Sequence, residues 1–308
     1  MKKINSNVLE IKNDFLIKNL KNSKKLNFLK KISKSPVMVS KKTGLVYHPD
    51  IVDSELAVNL WSKKIFKKKI NTKNISYSSN FPGMQSRHFY IIDFLNRKFD
   101  LKKKLICDFA SGEGSILEKL SSLHGLNKII GTEHSLKNTK YIKNQFKKLK
   151  SKPPKIYTQK IEDLQIKEKV DLGILSWTLC NCSDPLNVVA SLKRNIKKNG
   201  YILIAESSRI LVPYRKLIQN YFNSESRLGL SHPWHWSFNS ILNLFKVFGF
   251  TLVSNNRFWD EDNLILLLKN SHKSPDKQNF IFDDYKKVET FFKEWSKISK
   301  KFPTKWVD

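Results

Sequence analysis

Four residues in one short stretch, Asp108, Ala110, Gly112 and Gly114, could do chemistry together. An aspartate followed at alternate positions by small residues lets the backbone come close to a ligand and leaves N–H groups free to meet it. Glu133 lies 19 residues after Gly114. A carboxylate at that distance, at the end of the next strand, can accept both hydroxyls of a ribose. Further along, His232 and His235 offer the side chain best suited to hold a proton near neutral pH.

These groups need a frame. From Leu101 to about Asn270 short apolar runs alternate with amphipathic segments, as in KLICDFA, SILEKLSSL, KIIGTEH, VDLGILSW, PLNVVASLKRNIKK and YILIAESS. Strand and helix in repeated alternation predict a parallel sheet with helices on both faces. The glycines then sit where a strand turns into a helix at the sheet's C-terminal edge. Three parts are expected: a lysine-rich, helical N-terminal extension and substrate-side cap over 1–100, a core over 101–270, and a C-terminal helical tail over 271–308.

The turn discriminates between cofactors. A dinucleotide fingerprint has the longer spacing Gly-x-Gly-x-x-Gly, whereas this chain reads Gly-Glu-Gly-Ser-Ile from Gly112. The shorter, aspartate-led form suits S-adenosylmethionine, which has no phosphates and whose amino-acid portion can lie along the glycines.

Composition narrows the class. Hydrophobic residues make up 40% of the 308 and aromatics 12%, enough for a sizeable core and too many for a disordered chain. The formal net charge is +30, which raises a nucleic-acid partner. Only seven of the 57 basic residues are arginine, and the lysines are spread along the whole chain. Solvated lysine faces are the first expectation and a specific polyanion site the second, because groove readers lean on arginine. Cys107, Cys180 and Cys182 cannot all pair and lack zinc or redox spacing, so free thiols are expected. With no signal sequence and no membrane-length apolar run, a cytoplasmic location is expected.

On these residues the chain resembles the class I S-adenosylmethionine-dependent methyltransferases from about Lys41 to Asn270, and most nearly the branch of sugar C-methyltransferases. Asp108 to Gly114 is similar to the first motif of that family, with Ala110 at its first glycine. Gly131 to Ser135 is similar to the second, which puts Glu133 on the ribose. The resemblance implies a Rossmann-like seven-stranded methyltransferase sheet. It also implies a backbone amide near Ile161 against the adenine and Ser176, at the end of the fourth run, on the cofactor side. The segment LSHPWHWSF resembles the family's histidine segment, implying His232 as the base on the acceptor. NISYSSNFPGMQSRH resembles a stretch whose tyrosine reaches the site, here Tyr77. The family's zinc ribbon has no counterpart, since Thr43 stands at a cysteine position and no cysteine precedes Cys107; no metal is expected.

Alternatives stay open at this point. His232 and His235 could be packed loop residues satisfying backbone groups. Trp234, Trp236 and Trp259 could stack on a substrate or bury in a core. A small-molecule or glycan-precursor acceptor, such as a nucleotide-sugar, leads. An RNA or protein methyltransferase, and a non-catalytic partner protein of the same fold, are the other readings.

Overall fold

A computed structural model describes residues 6–18, 20–33, 35–50, 82–124, 128–206, 210–212, 217, 218, 222, 232–256 and 263–299. Tyr77 and Trp259 lie outside the described residues.

The core is a seven-stranded sheet. Its strands are β4 (Ile106–Phe109), β5 (Ile129–Thr132), β6 (Lys155–Tyr157), β7 (Val170–Ser176), β8 (Ile196–Glu206), β10 (Phe250–Asn255) and β11 (Leu264–Asn270). They lie in the order β10-β11-β8-β7-β4-β5-β6. β4 to β8 pair in parallel, whereas β11 runs antiparallel to both β8 and β10. Parallel strands covered on both faces read as continuous apolar runs, and β4 is buried at every residue. α3 (Ser115–His124), α4 (Leu136–Lys148) and α5 (Pro185–Asn195) make the crossovers. From β4 the chain winds outward through β5 and β6, then returns to β7 on the other side. Such a switch of direction opens a crevice outside the C-terminal ends of β4 and β7.

Local chemistry starts the helices where the crevice needs them. Ser135 caps α4 by accepting from the Asn138 amide, and Asp184 caps α5 through the Asn187 amide. α4 turns Thr139, Ile142 and Phe146 inward at helical spacing and leaves its lysines outside.

The N-terminal part departs from the helical extension expected for it. α1 (Ser6–Phe15) is helical, and α2 (Pro82–Asn96) precedes the core. Between them β1 (Ser23–Lys25), β2 (Met38–Ser40) and β3 (Val46–Tyr47) form a second, antiparallel sheet. Its fourth strand is β9 (Trp234–His235), with Val46 opposite His235. The stretch from 23 to 47 has too little local periodicity to announce strands, and β1 consists of one serine and two lysines. A segment nearly 190 residues away completes the pairing of β3 (Val46 to His235), and β2 and β1 pair onto β3 in turn.

Two buried groups tie these parts together. Val8, Ile11 and Phe15 of α1 share a core with Val188, Trp234 and Ile241. α6 (Phe238–Lys246) packs in the same core behind a capping box at Ser237. α7 (Tyr285–Ser299) buries Val288, Phe292 and Trp295 against Leu29, Val39 and Val46. No helix among the described residues is long and apolar enough to cross a membrane.

Candidate functional site

β4 ends in a sharp turn built on backbone conformations that side chains resist. Ala110, Gly112 and Gly114 take φ of +55°, +56° and +79°. A Cβ on Gly114 would come within 2.8 Å of Ile142, so only glycine lets α4 close on the turn. At Gly112 a Cβ would meet nothing within 4 Å. Its backbone faces open space, as a ligand cradle requires. Ala110, despite its side chain, is held by donating its N–H to Thr132 Oγ1 at 2.9 Å.

Glu133, at the end of β5, is 9% exposed and fixed at both oxygens. One accepts from the Gly112 amide and the other from the Ser135 amide, each at 2.8 Å. An ionised carboxylate has about four acceptor directions, so both oxygens keep capacity for a ribose. Burial raises the pKa of Glu133, while those two amides pull it down.

Asp108 is 2% exposed, and its Oδ1 has no hydrogen-bond partner. Burial, with Glu133 nearby, raises its pKa to about 8. A buried, unsatisfied carboxylate is costly unless a cation arrives.

The structure brings Asp108, Ala110, Gly112, Gly114 and Glu133 to one edge of the sheet. Ser176 is on that edge too, since Asp108 lies opposite Ile174 and Phe109 opposite Leu175 on β7. Ile161 opens a short turn after β6 and is partly buried against the main core.

His232 is half-buried, two residues ahead of Trp234. The Trp234 indole N–H donates to Cys182 O at 2.7 Å, which anchors this segment on the loop following β7. His235 instead meets His48, Nε2 to Nε2, at 2.9 Å, and His48 Nδ1 lies 3.0 Å from Pro36 O. Burial lowers both pKa values, to about 4 for His48 and well below the usual value for His235, with His232 adding to each.

Trp234 and Trp236 are each 1% exposed, with Phe15 packed against both rings. Substrate stacking by these two is thereby excluded in this conformation; they are core. The reason is α1, whose contribution to this core no local pattern shows.

Two residues of the site, Trp177 and Glu206, had no role assigned from sequence, and a third, His88, closes the NISYSSNFPGMQSRH segment. Trp177, just past Ser176, has φ of +48°. Glu206 ends β8 and is fully buried, accepting from the Leu179 amide at 2.7 Å. Burial raises its pKa to about 7. His88 on α2 lies with Nδ1 2.9 Å from Ser115 Oγ, immediately after Gly114. For Glu206 the legible signal was a charged residue closing the apolar run YILIAE.

These shifts have a pH signature. Asp108 and Glu206 ionise at about 8 and 7 in the fold, against 3.8 and 4.5 ordinarily. The folded state therefore binds more protons than the unfolded one between those limits, and stability falls as pH rises through them. His48 and His88, lowered to about 4, act oppositely, but only up to their ordinary 6.5. From pH 6.5 the opposing histidines fade out over about one pH unit, and the carboxyls outweigh them. Ligand-free protein should lose on the order of 2 kcal/mol between pH 6.5 and 8.5. Urea titrations at the two pH values check this, and Asp108→Asn should remove most of the difference. A difference unchanged in that variant would refute the assignment.

Comparison with known proteins agrees with this geometry. Residues 107–204 match the family model described as Methyltransferase domain. Among solved structures, the mitomycin 7-O-methyltransferase MmcR is 10% identical, covers 70% of this chain and 66% of its own, with a TM-score of 0.53. Magnesium protoporphyrin IX methyltransferase (ChlM) from Synechocystis PCC 6803 with bound SAH is 15% identical, with coverage of 70% and 94% and a TM-score of 0.50. A putative sarcosine dimethylglycine methyltransferase from Galdieria sulphuraria is 12% identical, with coverage of 71% and 98% and a TM-score of 0.50. At these identities the likeness is one of fold. No curated protein matches the chain in sequence. Residues 107–204 carry the match to a methyltransferase domain, within a sheet whose fold is shared with an enzyme crystallised with SAH.

Proposed function

We propose that the protein transfers a methyl group from S-adenosylmethionine to a small-molecule or glycan-precursor acceptor, with a nucleotide-sugar as the first class to try. The carrying observation is the pair of buried carboxylates, Asp108 and Glu133, flanking a positive-φ turn that faces open space. The buried carboxyl of Asp108 is matched to a cationic group rather than to a diphosphate. A ligand with a cationic amino-acid portion, ribose hydroxyls and no phosphate fits.

In this reading Asp108, Ala110, Gly112, Gly114 and Ser176 bed the amino-acid end, Glu133 takes the ribose, and the turn at Ile161 meets the adenine. The bound cofactor supplies an electrophilic methyl on a sulfonium. The chain has to align the acceptor, exclude water and, for an oxygen or carbon acceptor, remove a proton. His232 is assigned the proton, and Tyr77 the acceptor side. Residues 101–270 act as the transferase core, 1–100 as the cap on the acceptor side and 271–308 as a tail behind the cap. The sugar C-methyltransferase branch is the narrower form of the proposal.

Calorimetric titration with S-adenosylmethionine, S-adenosylhomocysteine and NAD tests the reading. Micromolar binding of the first two and none of NAD is the expected result. Binding of NAD alone, or of none, would overturn it. Labelled-methyl transfer onto nucleotide-sugars then tests the acceptor class.

A further inference from the structure

Four buried polar atoms without a hydrogen-bond partner gather at one place: Asp108 Oδ1, Trp177 Nε1, Asn181 Oδ1 and Glu206 Oε2. Asp108 is near the end of β4, Trp177 and Asn181 follow β7, and Glu206 ends β8. These are the C-terminal ends of three adjacent strands. Buried polar groups are normally satisfied, so their concentration on one edge marks groups waiting for a ligand. Three of the four are acceptors. Trp177 Nε1 is the one donor, because an indole nitrogen can only donate.

Trp177 is held by its backbone, its amide and its ring contacts. Its backbone sits at φ +48°, a conformation that bulky residues adopt only when their surroundings impose it. Its own amide donates to Ala205 O at 2.7 Å. Its ring lies 5.6 Å from the His88 ring, and the Arg87 guanidinium stands 5.9 Å from its centroid. His88 in turn contacts Ser115, the first residue of α3 after the glycine turn. The links Gly114, Ser115, His88, Trp177 and Ser176 thus bridge the crevice between β4 and β7. Burial, with Lys119 and Arg87 close by, lowers His88 to about 4, so the bridge carries a neutral imidazole near pH 7.

We propose that the Trp177 indole N–H binds the α-carboxylate of the cofactor's amino-acid portion while Asp108 takes its α-ammonium, so that the two read a zwitterion. This rests on the S-adenosylmethionine reading above and adds a residue that the glycine motif does not contain. A donor on one wall and a carboxylate on the other are the complement of an α-amino acid. The strain at Trp177 has a use in this arrangement, since it keeps the N–H fixed before the ligand arrives.

Three ligands separate the possibilities by calorimetry. Decarboxylated S-adenosylmethionine keeps the ammonium and lacks the carboxylate; 5′-methylthioadenosine lacks the whole amino-acid portion. Wild-type protein should prefer S-adenosylmethionine over the decarboxylated form by about tenfold or more, as befits a hydrogen bond to a charged group. Trp177→Phe keeps the ring and deletes the donor. It should shrink that preference to about twofold and leave 5′-methylthioadenosine binding unchanged.

A preference that persists in Trp177→Phe, or is absent from the wild type, overturns the proposal. Wild-type protein that binds none of the three instead overturns the cofactor reading itself. Should Trp177→Phe not fold, the indole N–H resonance of Trp177 in the wild type decides. It should move with S-adenosylmethionine and not with the decarboxylated form; equal shifts would refute the contact.

Discussion

Glu133→Ala should weaken S-adenosylmethionine binding by about a hundredfold or more. The carboxylate is held rigidly, one oxygen on the Gly112 amide and the other on the Ser135 amide, each at 2.8 Å. Its remaining acceptor directions are those assigned to the ribose. Two hydrogen bonds to a charged acceptor contribute roughly 1.5–3 kcal/mol each, and alanine removes both. It also releases the Gly112 amide, which loosens the turn that carries the amino-acid end. The fold should survive, because β5 is held by backbone pairing with β4 and β6 that this side chain does not make. Calorimetry of the variant, with a thermal melt as control, checks this. A folded variant that binds within about threefold of wild type would remove Glu133 from the site.

Trp234→Ala should destabilise the protein by about 3–5 kcal/mol. The ring is 1% exposed, with Phe15 at 5.2 Å, Tyr47 at 6.1 Å and Trp236 at 6.4 Å between centroids. Those neighbours belong to α1, β3 and the segment just past β9, so the cavity would open where three parts of the chain meet. The indole N–H to Cys182 O would vanish as well, and with it the tie between the His232 segment and the loop after β7. Trp234→Phe fills most of the volume without the donor and should cost less. Urea midpoints of the two variants measure the effect. A loss below about 1 kcal/mol for alanine would show that β9 is held by other contacts.

Much of the core was legible because its determinants are local. β4 reads as a strand from its apolar run, and the turn reads as a turn because small residues alternate after Asp108. Glu133 could be found by counting residues to the next strand end. Each of these depends on a few neighbouring residues whose backbone preferences point the same way. The lysine-rich N-terminal part behaved differently. Its strands have little periodicity of their own and form by pairing with one another, with β3 closed by β9. Trp234 and Trp236 looked as suited to a sugar as to a core until Phe15 was found against them.

The amino-acid sequence by itself determined the alternation of strands and helices, the glycine turn with its two carboxylates, and hence the cofactor class, since all follow from short-range pattern. Only the tertiary structure decided that Val46 and Tyr47 pair with His235 and Trp234, that His48 and His235 form a buried pair, and that His88, Trp177 and Glu206 converge on the crevice. Those contacts join residues far apart in the chain. Burial and pairing across such distances depend on how the layers stack, which no local spacing encodes.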